Sequence, residues 1–173
     1  MIINDVDLRK LVERIMELTL ELAESNKEDI LLVLPGDDIE GLREALASFK
    51  CDSCNLTIVA NEKQMQSADL GKLICSKAST IVSPEKVLHD AFKFDKVVYL
   101  TMPRDILAKC ALCVPDVPEV VLFEKALENG VPVSLARNAL KPFTGKEPES
   151  YQKRIMGYIQ NLLEYGIDIE LDA

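Results

Sequence analysis

Between Val97 and Asp116 an apolar strand pattern passes straight into a helical one, with Met102-Pro103-Arg104 at the joint. Val97-Val98-Tyr99-Leu100 shows no polar alternation, which marks a strand covered on both faces rather than one with a wet side. Such a strand needs a helical layer above it and another below it, so the chain is constrained toward a layered α/β architecture. In an open sheet of that kind, ligands bind where strands end and helices begin. The junction is therefore the first place to expect a site.

The same alternation runs through most of the chain. Ile30 to Leu34 predicts a buried strand, Ile39 to Phe49 a helix and Leu56 to Ala60 a second strand. Leu73 to Cys75 and Thr80 to Val82 predict further short strands, and Pro84 to Phe92 is helical. Lys96 to Leu100 is the next buried strand. Residues 104 to 113 and 117 to 129 predict helices interrupted by Pro115 and Pro118, and Gly130 caps the entry into Val131 to Leu135. A final helix is expected from Pro148 to Tyr165, ended by Gly166, with Ile167 to Leu171 as an edge strand. This order predicts a parallel sheet with helices on both faces, a three-layer Rossmann-like or flavodoxin-like fold. Ahead of it, residues 1 to 25 form a separate unit. Leu8, Leu11, Val12, Ile15, Leu18 and Leu22 recur at helical spacing opposite Arg9, Lys10, Glu13, Arg14, Glu17 and Glu21, an amphipathic helix with Asn4 or Asp5 as its N-cap. Residues 26 to 173 make up the α/β domain.

Charge narrows the partners. With 29 acidic against 20 basic residues and a net charge of −9, the chain has no basic stripe to follow a phosphate backbone, and it lacks Trp for base stacking. Nucleic acid is excluded as an expectation. No apolar run is long enough to span a bilayer and the start has no secretory pattern, so a cytoplasmic protein without a membrane partner is expected. Five cysteines without an export signal read as thiols, ligands or core residues rather than a disulfide framework.

Read together, these segments resemble the flavoprotein family of homo-oligomeric, flavin-containing cysteine decarboxylases, which includes phosphopantothenoylcysteine decarboxylase. Its pattern at the junction is a strand, then Pro-(Ala/Met)-Ser-(Ala/Arg)-Asn-Thr-(Ile/Leu)-Ala-Lys, then Ala-x-Gly-Ile-x-Asp. Lys109, Ala111 and Asp116 fall in register with that pattern, and Arg104, Leu107 and Ala108 match a common variant. Val131 to Asn138 is similar to the family's next strand and its Pro-Ala-Met-Asn turn, keeping Asn138. The resemblance covers roughly residues 28 to 171. This chain departs from the pattern at Pro103, Asp105 and Ile106, where the family has Ser, Asn and Thr, and at Cys113, where it has Gly.

The resemblance implies FMN rather than FAD, because the family site holds one phosphate and no Gly-x-Gly-x-x-Gly fingerprint is present. It also implies a trimer-based homo-oligomer. Implied flavin contacts are Gly36 and Asp37 after the first strand, Asn61 after the second, Met102, Pro103, Arg104 and Asp105 at the junction, and Asn138. Arg104 would offer a permanent cation to phosphate or to the pyrimidine edge of the flavin, and Asn61 an amide to a phosphate oxygen. Asp37 and Asp38 can alternatively be read as helix-capping carboxylates.

His89, the lone histidine, is the catalytic candidate, set against a surface imidazole, because its spacing to the next strand is about two residues short of the family's. Cys51-x-x-Cys54 and Cys110-x-x-Cys113 are metal-type spacings, and Cys110 with Cys113 is the candidate ligand pair for zinc or iron–sulfur, set against two small core residues. The reading is an FMN protein of redox or electron-transfer function, with a redox partner. Residues 1 to 25 are similar in pattern to helices that direct enzymes into bacterial microcompartments, and the alternative is that they pack on their own domain. A decarboxylase or reductase of the same family and a flavin-less assembly protein remain as alternatives.

Overall fold

The computed structural model describes residues 5–25, 27–37, 54–66, 79–89 and 92–169. The expected helix at 39 to 49, the strand at 73 to 75, and Cys51 and Asp38 lie outside the described residues. Helix α1 (Asp5–Ser25) leads into β1 (Glu28–Val33); β2 (Cys54–Val59) is followed by the short α2 (Glu62–Met65), and β3 (Ser79–Val82) by α3 (Pro84–His89). Then come β4 (Lys96–Tyr99), α4 (Arg104–Leu112), α5 (Pro118–Glu128), β5 (Val133–Leu135), α6 (Glu149–Glu164) and β6 (Asp168–Ile169).

The strands form one parallel sheet in the order β3-β2-β1-β4-β5-β6. This is the doubly wound order, in which the direction of winding reverses between β1 and β4 and opens a crevice at their carboxyl ends. The buried runs are where the apolar patterns put them. Ile30 to Leu34 and Val97 to Leu100 are almost completely covered, and Val120, Leu122, Phe123 and Ala126 of α5 close one face over them. Tyr99 stands in the middle of this core and remains neutral, because burial raises its phenol well above the ordinary value. Its hydroxyl donates to the Glu119 carbonyl at 2.6 Å, and its ring meets Phe123 edge-on at 6.0 Å.

The break between α4 and α5 has two causes. α4 stops at Leu112 because Cys113 takes a left-handed conformation, φ 55°, and sends its amide back to Cys110 and Lys109. Pro115 then keeps the chain from re-entering that helix before Pro118 opens α5 at its first position. Among the described residues no helix is long and apolar enough to cross a membrane.

Candidate functional site

Four strands deliver loops to one edge of the sheet, and these loops divide into two groups. The first group follows β1 and β2. Gly36 turns with φ +83°, a conformation that strains any residue with a side chain, and an added Cβ would also stand 3.3 Å from Pro103 Cγ. Its carbonyl accepts from Gln64 Nε2 at 2.6 Å and from Asn61 Nδ2 at 3.2 Å. Asn61 and Gln64 form a reciprocal capping box on α2, each side chain accepting from the other's backbone amide. Asp37 accepts from Asn61 Nδ2 at 3.1 Å and pairs with Lys63 Nζ at 3.2 Å, and these bonds, Lys63 first, hold its carboxyl below the usual range.

The second group follows β4 and β5. Thr101 Oγ1 donates to the Pro35 carbonyl at 3.0 Å, spanning the winding reversal. Met102 is buried, and its amide donates to the Ala139 carbonyl at 2.8 Å, carrying the β4–β5 pairing one step past the strands. Pro103 caps α4 without a side-chain bond, which leaves the first-turn amides of that helix without a capping oxygen. Arg104 opens the helix and lies half-buried. Its guanidinium stacks 4.5 Å from the Phe143 ring centroid and 5.7 Å from that of Tyr151, and Nη2 donates to the Lys141 carbonyl at 3.4 Å. Nη1 is buried and has no partner. A buried cationic nitrogen left unpaired is costly, so this atom marks a place for an acceptor.

Arg104 also lines a cavity of 640 Å³. Pro35, Met102, Pro103, Ala139 and Pro142 give it apolar walls, and Thr101, Arg104, Asn138, Lys141, Thr144 and Glu147 give it polar points. Glu147 closes the rim: its carboxylate accepts from the Thr144 amide through both oxygens at 3.0 Å, which draws its pKa down to about 2. A mostly apolar recess with a few aimed polar groups is the usual form of a small-molecule site.

The sequence-predicted residues divide between the two groups. Met102, Pro103, Arg104 and Asn138 meet in the cavity. Gly36, Asp37 and Asn61 meet one another instead, with the amide of Asn61 already committed to Gly36 and Asp37. Asp105 is exposed in the first turn of α4 and is not among the lining residues. His89 is exposed at the end of α3, which carries the chain from the carboxyl end of β3 back toward the amino end of β4 and away from the cavity.

Cys110 and Cys113 do not share a helix face, because the left-handed turn at Cys113 breaks the spacing. Cys110 is buried and its thiol is pushed up to about 12, mainly by that burial. Cys113 is exposed, its sulfur 3.8 Å from the Tyr165 hydroxyl. Both are free, whereas Cys54 is disulfide-bonded, contrary to the expectation of thiols, ligands or core residues. An odd count rules out complete pairing but not a single pair. Among the described residues no group of three or more His, Cys, Asp or Glu side chains could hold a metal ion.

Sequence reasoning missed Thr101, Lys141, Thr144, Glu147 and the Phe143–Tyr151 stack. Only the capping box left a readable signal, the Asn-x-x-Gln spacing of Asn61 and Gln64.

No protein-family profile and no curated protein matches the sequence. Solved structures do match over most of its length. The FMN-dependent cysteine decarboxylase TvaF of thioviridamide biosynthesis aligns with 85% of this chain and 91% of its own, at TM-score 0.55 and 16% identity. HAL3 from Cryptococcus neoformans aligns with 83% of this chain and 84% of its own, at 0.59 and 16%. DmrB from Burkholderia xenovorans, described as a cubic protein cage for redox transfer, aligns with 84% of this chain and 88% of its own, at 0.55 and 12%. The fold is the one these proteins share. At such low identity the likeness establishes architecture, and the site must be argued from its own residues.

Proposed function

We propose that this protein binds FMN in the cavity between the β4–α4 and β5–α6 connections and acts as an electron carrier within a homo-oligomer. The observation that carries the reading is Arg104 Nη1, a buried cationic donor without a partner beside an apolar recess. These residues fit the cofactor: the apolar walls suit a flat ring system, while Arg104, Asn138 and Lys141 offer donors to a phosphate or to an electron-rich ring edge. Bound there, FMN would supply reversible one- and two-electron transfer.

Two solved neighbours supply the analogy. TvaF is described as FMN-dependent, DmrB has been solved with FMN, and DmrB is a cage for redox transfer. Electron transfer is favoured over decarboxylation because α3 directs His89, the catalytic candidate, away from the cavity. A place in a bacterial microcompartment would rest on α1 alone and is not part of this reading.

The test is direct. Protein purified in the dark should show flavin absorbance, and the released cofactor should have the mass of FMN. Colourless protein that also fails to take up added FMN would overturn the proposal.

A further inference from the structure

Every described side chain of α1 from Leu8 to Glu24 is exposed, so no described element covers the helix. Leu8, Leu11, Val12, Ile15, Leu18 and Leu22 stand between 42% and 62% exposed. A helix of 21 residues with one apolar stripe in water lacks the packing that ordinarily stabilises it. Its stripe has a particular spacing. Leu8, Leu11, Ile15, Leu18 and Leu22 follow one another at steps of three, four, three and four, the a and d positions of a heptad repeat. Val12 stands beside this seam at e, and Met16 and Leu20 lie off it, so the a and d row is the continuous part of the apolar surface rather than the whole of it. The apolar seam from Leu8 to Leu22 covers about two heptads of the 21-residue helix, so the pairing it supports is a short one.

We propose that α1 pairs with α1 of a second copy of this chain as an antiparallel two-stranded coiled coil. Charge decides both the occupant and the direction. Within the seam the flanking g positions hold Arg14 and Glu21, of opposite sign, and the e positions hold the uncharged Val12 and Thr19; Asp5 at e and Asp7 at g precede it. A parallel pair sets g against e, so Arg14 faces the partner's Thr19 and no charges meet. An antiparallel pair sets g against g. With Ile15 layered on the partner's Leu18 and Leu11 on the partner's Leu22, Arg14 comes within about 3 Å, measured along the axis, of the partner's Glu21. Two-fold symmetry makes this contact twice. The present bond of Arg14 to Glu17, 3.0 Å between side chains more than half exposed, is weak enough to exchange. Thr19 already donates its hydroxyl to the Ile15 carbonyl at 2.6 Å, so it can face the partner's Val12 without losing a water contact it needs.

The experiment uses the full chain. Sedimentation equilibrium should give the wild type at least twice the mass of a Leu11→Arg/Leu18→Arg variant, whose substitutions lie on the exposed stripe. Arg14→Glu should weaken association at least tenfold, and Arg14→Glu/Glu21→Arg should restore it. Direction is read by mixing Leu11→Cys with Leu22→Cys protein under mild oxidation, which should give the mixed 11–22 crosslink. Equal masses for wild type and the double variant, crosslinks of 11 to 11 only, or a wild-type α1 that stays single while binding compartment shell protein would each overturn the proposal.

Discussion

The loops after β1 and β2 and the loops after β4 and β5 leave the same edge of one sheet, yet they manage their polar groups in opposite ways. After β1 and β2, Gly36, Asp37, Asn61, Lys63 and Gln64 satisfy one another in a closed set of bonds. After β4 and β5, Arg104 is stacked on two aromatic rings and keeps one buried nitrogen unpaired beside a cavity. The first group holds its loops in place, and the second leaves a polar group to be answered from outside. A site is better marked by what its residues lack than by how many polar side chains they contribute.

The contrast can be broken most directly at Arg104. Arg104→Met keeps much of the bulk while removing the charge, and the loss of a charged hydrogen bond, about 1.5–3 kcal/mol, should weaken FMN binding roughly ten- to a hundredfold. Titration by flavin fluorescence measures this. Unchanged affinity would show that the unpaired nitrogen does not serve the cofactor.

Next in size is Gly36→Ala. The left-handed backbone and the nearby Pro103 ring should make it cost about 1–2 kcal/mol of stability, read as a lower urea midpoint. Little change would mean that the first group is less rigid than its bonds suggest.

The smallest effect belongs to Glu147 at the cavity rim. Folding lowers its pKa from 4.5 to about 2 through the Thr144 amide, so its contribution to stability is complete above about pH 4.5 and disappears as pH falls toward 2. Glu147→Gln should flatten that part of the pH–stability curve, measured by thermal denaturation.

The buried strands were legible because apolar runs such as Ile30 to Leu34 and Val97 to Leu100 leave little choice of environment. Boundaries were less so. The end of α4 depends on a left-handed Cys113, a conformation that residue identity seldom announces. Of the site, the junction was legible as a strand meeting a helix, and the structure brings Met102, Pro103, Arg104 and Asn138 together there. Its rim was not. Lys141, Thr144 and Glu147 lie in an irregular segment whose course is set by the Phe143–Arg104–Tyr151 stack, a contact between residues far apart in the chain. The same limit applies to the loop after β1, where Gly36 and Asp37 are bonded by Asn61, Lys63 and Gln64, residues that follow a different strand.

Tyr99 gives the chain an optical property of its own. With no tryptophan and four tyrosines, the longest-wavelength signal of the chain's aromatic side chains is phenolic. Tyr99 is completely buried, fixed at its hydroxyl by the Glu119 carbonyl and at its ring by Phe123, two residues before Thr101 at the cavity. A phenol held in one orientation by an asymmetric surrounding is a strong source of circular dichroism. The sheet beneath the proposed cofactor therefore carries a built-in spectroscopic probe, readable without a label and without indole emission to mask it.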